Sequence, residues 1–134
     1  MPRRSMLLIL SDTEERTWLA TGFSYLGFSV SVASGGLEGL KLFSMGNFDV
    51  VLTDLEMPGL SGSHVAQFVR TFNPATLILG LSSNSEENAF CCDHILRKSH
   101  TGESLLERVR TLVTRYMDDT GDYSGIPAMV REVH

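Results

Sequence analysis

Four side chains in this sequence have the types and the placement of a reactive centre. Val51 to Gly62 reads VLTDLEMPGLSG, in which apolar and β-branched residues deliver an aspartate, Asp54, followed almost at once by Met-Pro-Gly. A carboxylate at the end of an otherwise apolar strand is costly to hold there without partners, so its position points to chemistry. Three more strand-like runs end in polar groups. Met6 to Leu10 leads to Ser11 and Asp12, Thr76 to Leu81 leads to Ser82 and Ser83, and His94 to Arg97 leads to Lys98. Two carboxylates brought close repel each other and favour a bound divalent cation, and oxygen ligands with room for water suit Mg²⁺. An ammonium and a hydroxyl opposite them would hold the equatorial oxygens of a phosphoryl group in transfer, with Asp54 as the in-line nucleophile.

The elements that must position these groups follow from periodicity. MLLIL is a strand buried on both faces. Ser11-Asp12-Thr13-Glu14-Glu15 starts a helix with cap-competent and acidic residues, running to about Leu26 with Trp18, Leu19, Phe23 and Leu26 inward and Gly27 ending it. FSVSVA, Phe28 to Ala33, alternates with serine and reads as a strand near an edge. A helix over about Leu37 to Met45, a third strand from Phe48 to Thr53 and a helix from Ser63 to Thr71 come next. Thr76 to Leu81 and His94 to Arg97 are the last strands, and Gly102 to Met117 is a helix with Leu105, Leu106, Val109, Leu112, Val113 and Tyr116 on one face. This alternation predicts one doubly wound α/β domain over residues 1–117 with a parallel sheet, followed by an acidic, Gly-rich tail or linker at 118–134. In such folds the functional crevice lies beyond the carboxyl ends of the strands, where these four groups sit.

Composition narrows the function classes. A chain of 134 residues, 43% hydrophobic, suits a single core. Its net charge of −5 argues against direct nucleic-acid binding, and no apolar run reaches the ~18–20 residues of a membrane helix. A cytoplasmic location is expected, since Met-Pro-Arg-Arg enters a strand without a signal-peptide pattern and the adjacent Cys91 and Cys92 offer no disulfide framework. Cys91, Cys92, Asp93 and His94 lack zinc-site spacing and read as packing residues.

Across about Met6 to Met117 the chain resembles a response-regulator receiver domain of two-component signalling. DLEMPGLSG at Asp54 to Gly62 is similar to the family's phosphoacceptor motif, LGLS up to Ser82 to its fourth strand, and LRK at Leu96 to Lys98 to the end of its fifth. The resemblance implies a five-stranded sheet in the flavodoxin-like order 2-1-3-4-5. It also implies that Asp54 accepts a phosphoryl group from the phosphohistidine of a sensor histidine kinase or phosphotransfer protein. Mg²⁺ would be held by Asp12, Asp54 and the backbone carbonyl of Glu56. Lys98 would pair with the phosphoryl group, and Ser82 would bond to it after a small inward shift. The signal would pass to a downstream protein target through protein contacts, with no membrane involved and homodimer formation left open.

Three positions and one segment length depart from the family pattern. Ser11 stands where the family usually has a first acid, Ile95 where it has an aromatic switch, and Ser99 where a proline follows the lysine. Only sixteen positions separate Ser82 from Lys98, which predicts a fourth helix shortened by about 9 Å, for some six lost residues. The Glu56 side chain is expected to face solvent. Two rival readings differ in class: a pseudo-receiver that binds proteins without cycling phosphate, and a small flavodoxin-like enzyme. The acids of SDTEE oppose the second, because a flavin phosphate loop needs hydroxyls and backbone amides there.

Overall fold

A computed structural model describes residues 4–83, 91–98 and 102–119. The elements run β1 (Ser5–Ile9), α1 (Thr13–Tyr25), β2 (Ser29–Ala33), α2 (Gly36–Met45), β3 (Val50–Asp54), α3 (Gly62–Phe72), β4 (Leu77–Ser82), β5 (His94–Arg97) and α4 (Gly102–Asp119). All five strands are parallel, in the order β2-β1-β3-β4-β5, so the expected doubly wound sheet and its strand order hold. The shortened helix expected after β4 falls on residues 84–90, outside the described residues, as do Ser99 and positions 120–134 of the tail expected at 118–134, whose first two residues instead belong to α4.

β1, β3 and β4 are apolar on both faces because both faces are covered. Met6, Leu8, Leu52, Leu79 and Leu81 meet Leu19 and Phe23 of α1 and Leu105, Val109 and Val113 of α4. On the opposite face Leu7, Ile9, Val51 and Ile78 meet Phe43 of α2 and Val65, Ala66 and Val69 of α3. Gly39, inside α2, lets that helix lie against β1, since a Cβ there would come within 2.4 Å of the Ile9 side chain. β2 takes the edge, and Val32 on it is exposed, as its alternating sequence and lack of a second neighbour require.

α1 corrects one expectation. Leu19 and Phe23 are buried, but Trp18 is 46% exposed and Leu26 41%. Trp18 instead lies across the start of α4, where its ring would be 2.5 Å from a Cβ added to Gly102. Leu26 is the C-cap, not a helical residue, because Gly27 turns the chain with φ 101°. The amides of Gly27 and Phe28 then close back on the carbonyls of Ser24 and Phe23, and the Phe28 ring packs edge-on against Phe23 at 5.7 Å.

The entry to β5 is fixed by charge. Arg70 of α3 pairs with Asp93 at 2.8 Å and donates to the carbonyl of Cys91 at 3.1 Å, while Asp93 accepts from the amide of Ile78 at 2.8 Å. This ties α3 to the strand that leads into Lys98.

The first residue of α3 controls how closely that helix approaches β3. A Cβ on Gly62 would sit 2.0 Å from the carbonyl oxygen of Asp54 and 2.6 Å from Cα of Leu55, both backbone atoms that cannot swing aside. Gly62→Ala is therefore expected to cost about 3 kcal/mol in urea unfolding, at the upper end of overpacking penalties. A loss below about 1 kcal/mol would mean that α3 shifts freely.

Candidate functional site

The carboxyl ends of β1, β3, β4 and β5 converge as the strand pattern requires. Asp54 ends β3 beside Leu81, and its side chain has no solvent exposure at all. Its Oδ2 accepts from the amide of Ser11 at 3.0 Å and its hydroxyl at 3.1 Å, whereas Oδ1 is 3.0 Å from Nζ of Lys98 as an ion pair outside hydrogen-bond geometry. Lys98 is carried there by β5 and held by its own amide, which donates to the carbonyl of Ser82 at 2.9 Å. Partial burial alone would lower the pKa of this ammonium. Its pairing with Asp54 and the negative charges of Asp54, Glu15 and Glu56 outweigh burial and raise it above the ordinary lysine value.

Asp12 is exposed and caps α1, its Oδ1 accepting from the amide of Glu15 at 2.8 Å. Glu15 brings a third carboxylate to the cluster. Burial raises its pKa first, the charges of Asp54 and Asp12 raise it further, and Lys98 pulls the other way. Its Oε1 is buried without a hydrogen-bond partner among the described residues. Ser82 is buried, 1% exposed. Its hydroxyl donates to Oε2 of Glu56 at 2.8 Å, and Ser83 donates to Oε1 from its amide at 2.9 Å and its hydroxyl at 2.7 Å.

Asp54 and Lys98 thus meet directly, Asp12 and Ser82 flank them, and Glu56 is exposed as a residue while its carboxylate is tied to β4. Two partnerships are absent from the sequence reading: Ser11 as a donor to Asp54, and the Glu56 carboxylate as the acceptor for Ser82 and Ser83. Glu15 is also new, although its place one turn after Asp12 in an acidic first turn was a visible signal. Among the described residues no three His, Cys, Asp or Glu side chains gather closely enough to hold a metal ion by themselves. Cys91 and Cys92 are half-buried packing residues against the α2 and α3 face.

A parallel sheet with a buried, cation-paired aspartate at its carboxyl edge defines a class: open α/β modules whose working crevice is formed by strand ends. The response regulator receiver domain profile matches residues 7–110, and the chain belongs to that family. It is 33% identical over 127 residues to the response regulator MprA of Mycobacterium sp. (strain KMS), covering 90% of this chain and 55% of that protein. It is 30% identical over 118 residues to the transcriptional regulatory protein CusR of Escherichia coli K12, covering 82% and 52%. The chain therefore spans about half the length of these relatives. The sensor protein EvgS of the same organism matches over 89 residues at 30% identity, covering 66% of this chain and 7% of that protein. Among solved structures, the response regulator TrrA of Thermotoga maritima in complex with Mg²⁺ and BeF superposes with a TM-score of 0.73 at 30% identity, covering 81% of this chain and 98% of that one. A receiver-domain protein of Methanospirillum hungatei shares the fold at a TM-score of 0.80 and 18% identity, with coverage of 88% and 99%.

Two predictions follow from this geometry. Lys98→Met leaves the Asp54 carboxylate buried without its cation and should cost about 3 kcal/mol in urea unfolding, the low end for a broken buried pair because the lysine still meets solvent. Asp54→Asn in the same chain should recover most of that loss, and failure to recover it would mean that Lys98 acts through packing. Separately, burial pushes the Cys92 thiol up to about 11, with the charge of Asp93 adding to the effect. Its alkylation at pH 8, followed by peptide mass mapping, should run about 100-fold slower than that of an ordinary thiol, since the thiolate is the reactive form.

Proposed function

We propose that Asp54 is the phosphoacceptor of this receiver domain. The observation that carries this reading is the Asp54 carboxylate at the sheet's carboxyl edge, fully buried and 3.0 Å from the Lys98 ammonium. In the proposed step a carboxylate oxygen of Asp54 attacks the phosphorus of a phosphohistidine. The P–N bond breaks, its electron pair returns to the imidazole nitrogen, and an acyl phosphate remains on Asp54. Lys98 holds the charge that builds on the phosphoryl oxygens, and Ser82 supplies a hydroxyl donor to the product.

The donor chemistry suits a hard divalent cation. Three carboxylates, Asp12, Glu15 and Asp54, lie within each other's electrostatic reach, and a buried Glu15 oxygen has no hydrogen-bond partner among the described residues. With no three such side chains converging among the described residues, Asp12, Asp54 and the Glu56 carbonyl would hold Mg²⁺ together with water, in keeping with the way that ion retains part of its hydration shell. When bound, the ion would neutralise phosphoryl charge. Ser11 gives both of its donors to Asp54 Oδ2 and so steadies the nucleophile.

The proposed donor partner is a sensor histidine kinase or phosphotransfer protein, and the proposed output is a conformational change relayed through protein contacts in the cytoplasm. A surplus of acidic residues, sixteen against eleven basic, speaks against this domain binding nucleic acid itself. Among the described residues no helix is long and apolar enough to cross a membrane.

Intact-mass measurement after incubation with Mg²⁺ and acetyl phosphate tests the reading. The wild type should gain one phosphoryl mass, a gain that does not occur when the metal is chelated beforehand, and Asp54→Asn should gain none. An unmodified wild type would instead support a receiver fold that works by constitutive protein contacts.

A further inference from the structure

Three donors converge on one carboxylate beside the site, and one of them is the hydroxyl that the phosphoacceptor reading needs. Glu56 lies two residues beyond Asp54. Its Oε2 accepts from Ser82 Oγ at 2.8 Å, and its Oε1 accepts from the Ser83 amide at 2.9 Å and the Ser83 hydroxyl at 2.7 Å. An ionised carboxylate can only accept, and a serine hydroxyl has one proton to give. The Ser82 proton is therefore committed to Glu56 and cannot at the same time serve an oxygen on Asp54. The Ser82 backbone is fixed at the end of β4, where its carbonyl accepts from the Lys98 amide at 2.9 Å, so any exchange must come from rotation of the side chain.

We propose that Glu56 is a positioning residue that holds the Ser82 hydroxyl in an unmodified-state clasp, which opens only when a phosphoryl group on Asp54 competes for the same proton. This inference rests on the phosphoacceptor reading. Two physical effects drive the exchange. A phosphoryl group offers Ser82 a more highly charged acceptor, and its negative oxygens repel the nearby Glu56 carboxylate. Lys98 faces Asp54 directly and also feels the charge of Glu56, so a phosphoryl group that draws Lys98 toward itself weakens the hold of that ammonium on the clasp. Rotation of Ser82 frees Oε2 only, and repulsion of the Glu56 carboxylate by the phosphoryl oxygens then loosens the bonds of Oε1 to Ser83. The end of β4 thereby changes with the state of Asp54 without any aromatic residue at position 95.

A double-mutant cycle read by ¹⁹F NMR with beryllium fluoride and Mg²⁺ tests this, since that complex mimics the phosphoryl group and its bound signal can be titrated directly. Glu56→Ala should bind the mimic about tenfold more tightly than the wild type, because the cost of opening the clasp is gone. In a Ser82→Ala background the same substitution should gain no more than about threefold, the part that comes from relieving charge repulsion alone. Glu56→Gln, which keeps the volume and loses the charge, should show the same pattern at smaller size and serves if the alanine variant fails to fold. In the wild type the Ser83 amide resonance should shift on binding as its carboxylate partner leaves. An equal gain in both backgrounds would overturn the proposal, because Glu56 would then act through charge alone. An unchanged or weakened affinity in Glu56→Ala would overturn it too. Binding by none of the variants or the wild type would overturn the phosphoacceptor reading and this inference with it.

Discussion

A carboxylate with no exposure at the end of a central strand sets the terms for everything around it. Removing an ionised aspartate from water costs several kcal/mol, and only close partners can offset that. Asp54 has them from both sides: Ser11, immediately after β1, donates twice to one oxygen, and Lys98, immediately after β5, faces the other. The two partners come from opposite sides of β3 in the sheet, so the order β2-β1-β3-β4-β5 is the arrangement that brings them to one aspartate. Shifting the register of either strand by one residue would turn its polar residue away from Asp54.

That constraint explains features far from the crevice. β5 is the shortest strand and lies at an edge, yet it must deliver Lys98 accurately. The Arg70 and Asp93 pair, with the bond from the Ile78 amide to Asp93, anchors the entry to β5 from α3 and β4. Gly62 performs the matching task at β3, allowing α3 to start directly against the backbone of Asp54 and Leu55. The helices above and below the sheet supply the apolar burial. These two contacts, one ionic and one steric, convert that burial into the position of a single side chain.

Much of this was legible in the sequence, and the reasons are local. Continuous apolar runs marked the buried strands, serine alternation marked the edge strand, and the polar residue following each run located the crevice. Asp54, Lys98, Ser82 and Asp12 were found in this way. The side-chain partnerships were not legible, because they join residues 43 and 26 positions apart and depend on register. Ser11 read as an acid that was missing; in the structure its hydroxyl does work that a carboxylate could not, since an ionised acid beside Asp54 would repel it. Trp18 and Leu26 were misplaced because helical periodicity identifies a stripe but not its limits. The neighbouring helix α4 and the turn at Gly27 decide where that stripe ends.

The charges at the crevice have a common logic. Glu15, Asp54 and Glu56 all act on the one lysine, and each is restrained differently: Glu15 by partial burial, Asp54 by Ser11, and Glu56 by Ser82 and Ser83. Burial alone would raise the pKa of Glu56, but the bonds from Ser83 and Ser82 and the charge of Lys98 together hold it below the ordinary glutamate value, so its carboxylate stays ionised at neutral pH. A cluster with three acids and one nearby ammonium carries surplus negative charge, which is a favourable setting for a cation and an unfavourable one for an incoming phosphoryl group. The two preferences are linked. On the proposed reading, an electrophile bearing negative oxygens would approach Asp54 more readily once a cation had offset that surplus, so the same excess of acid that would recruit the ion would also make modification depend on it.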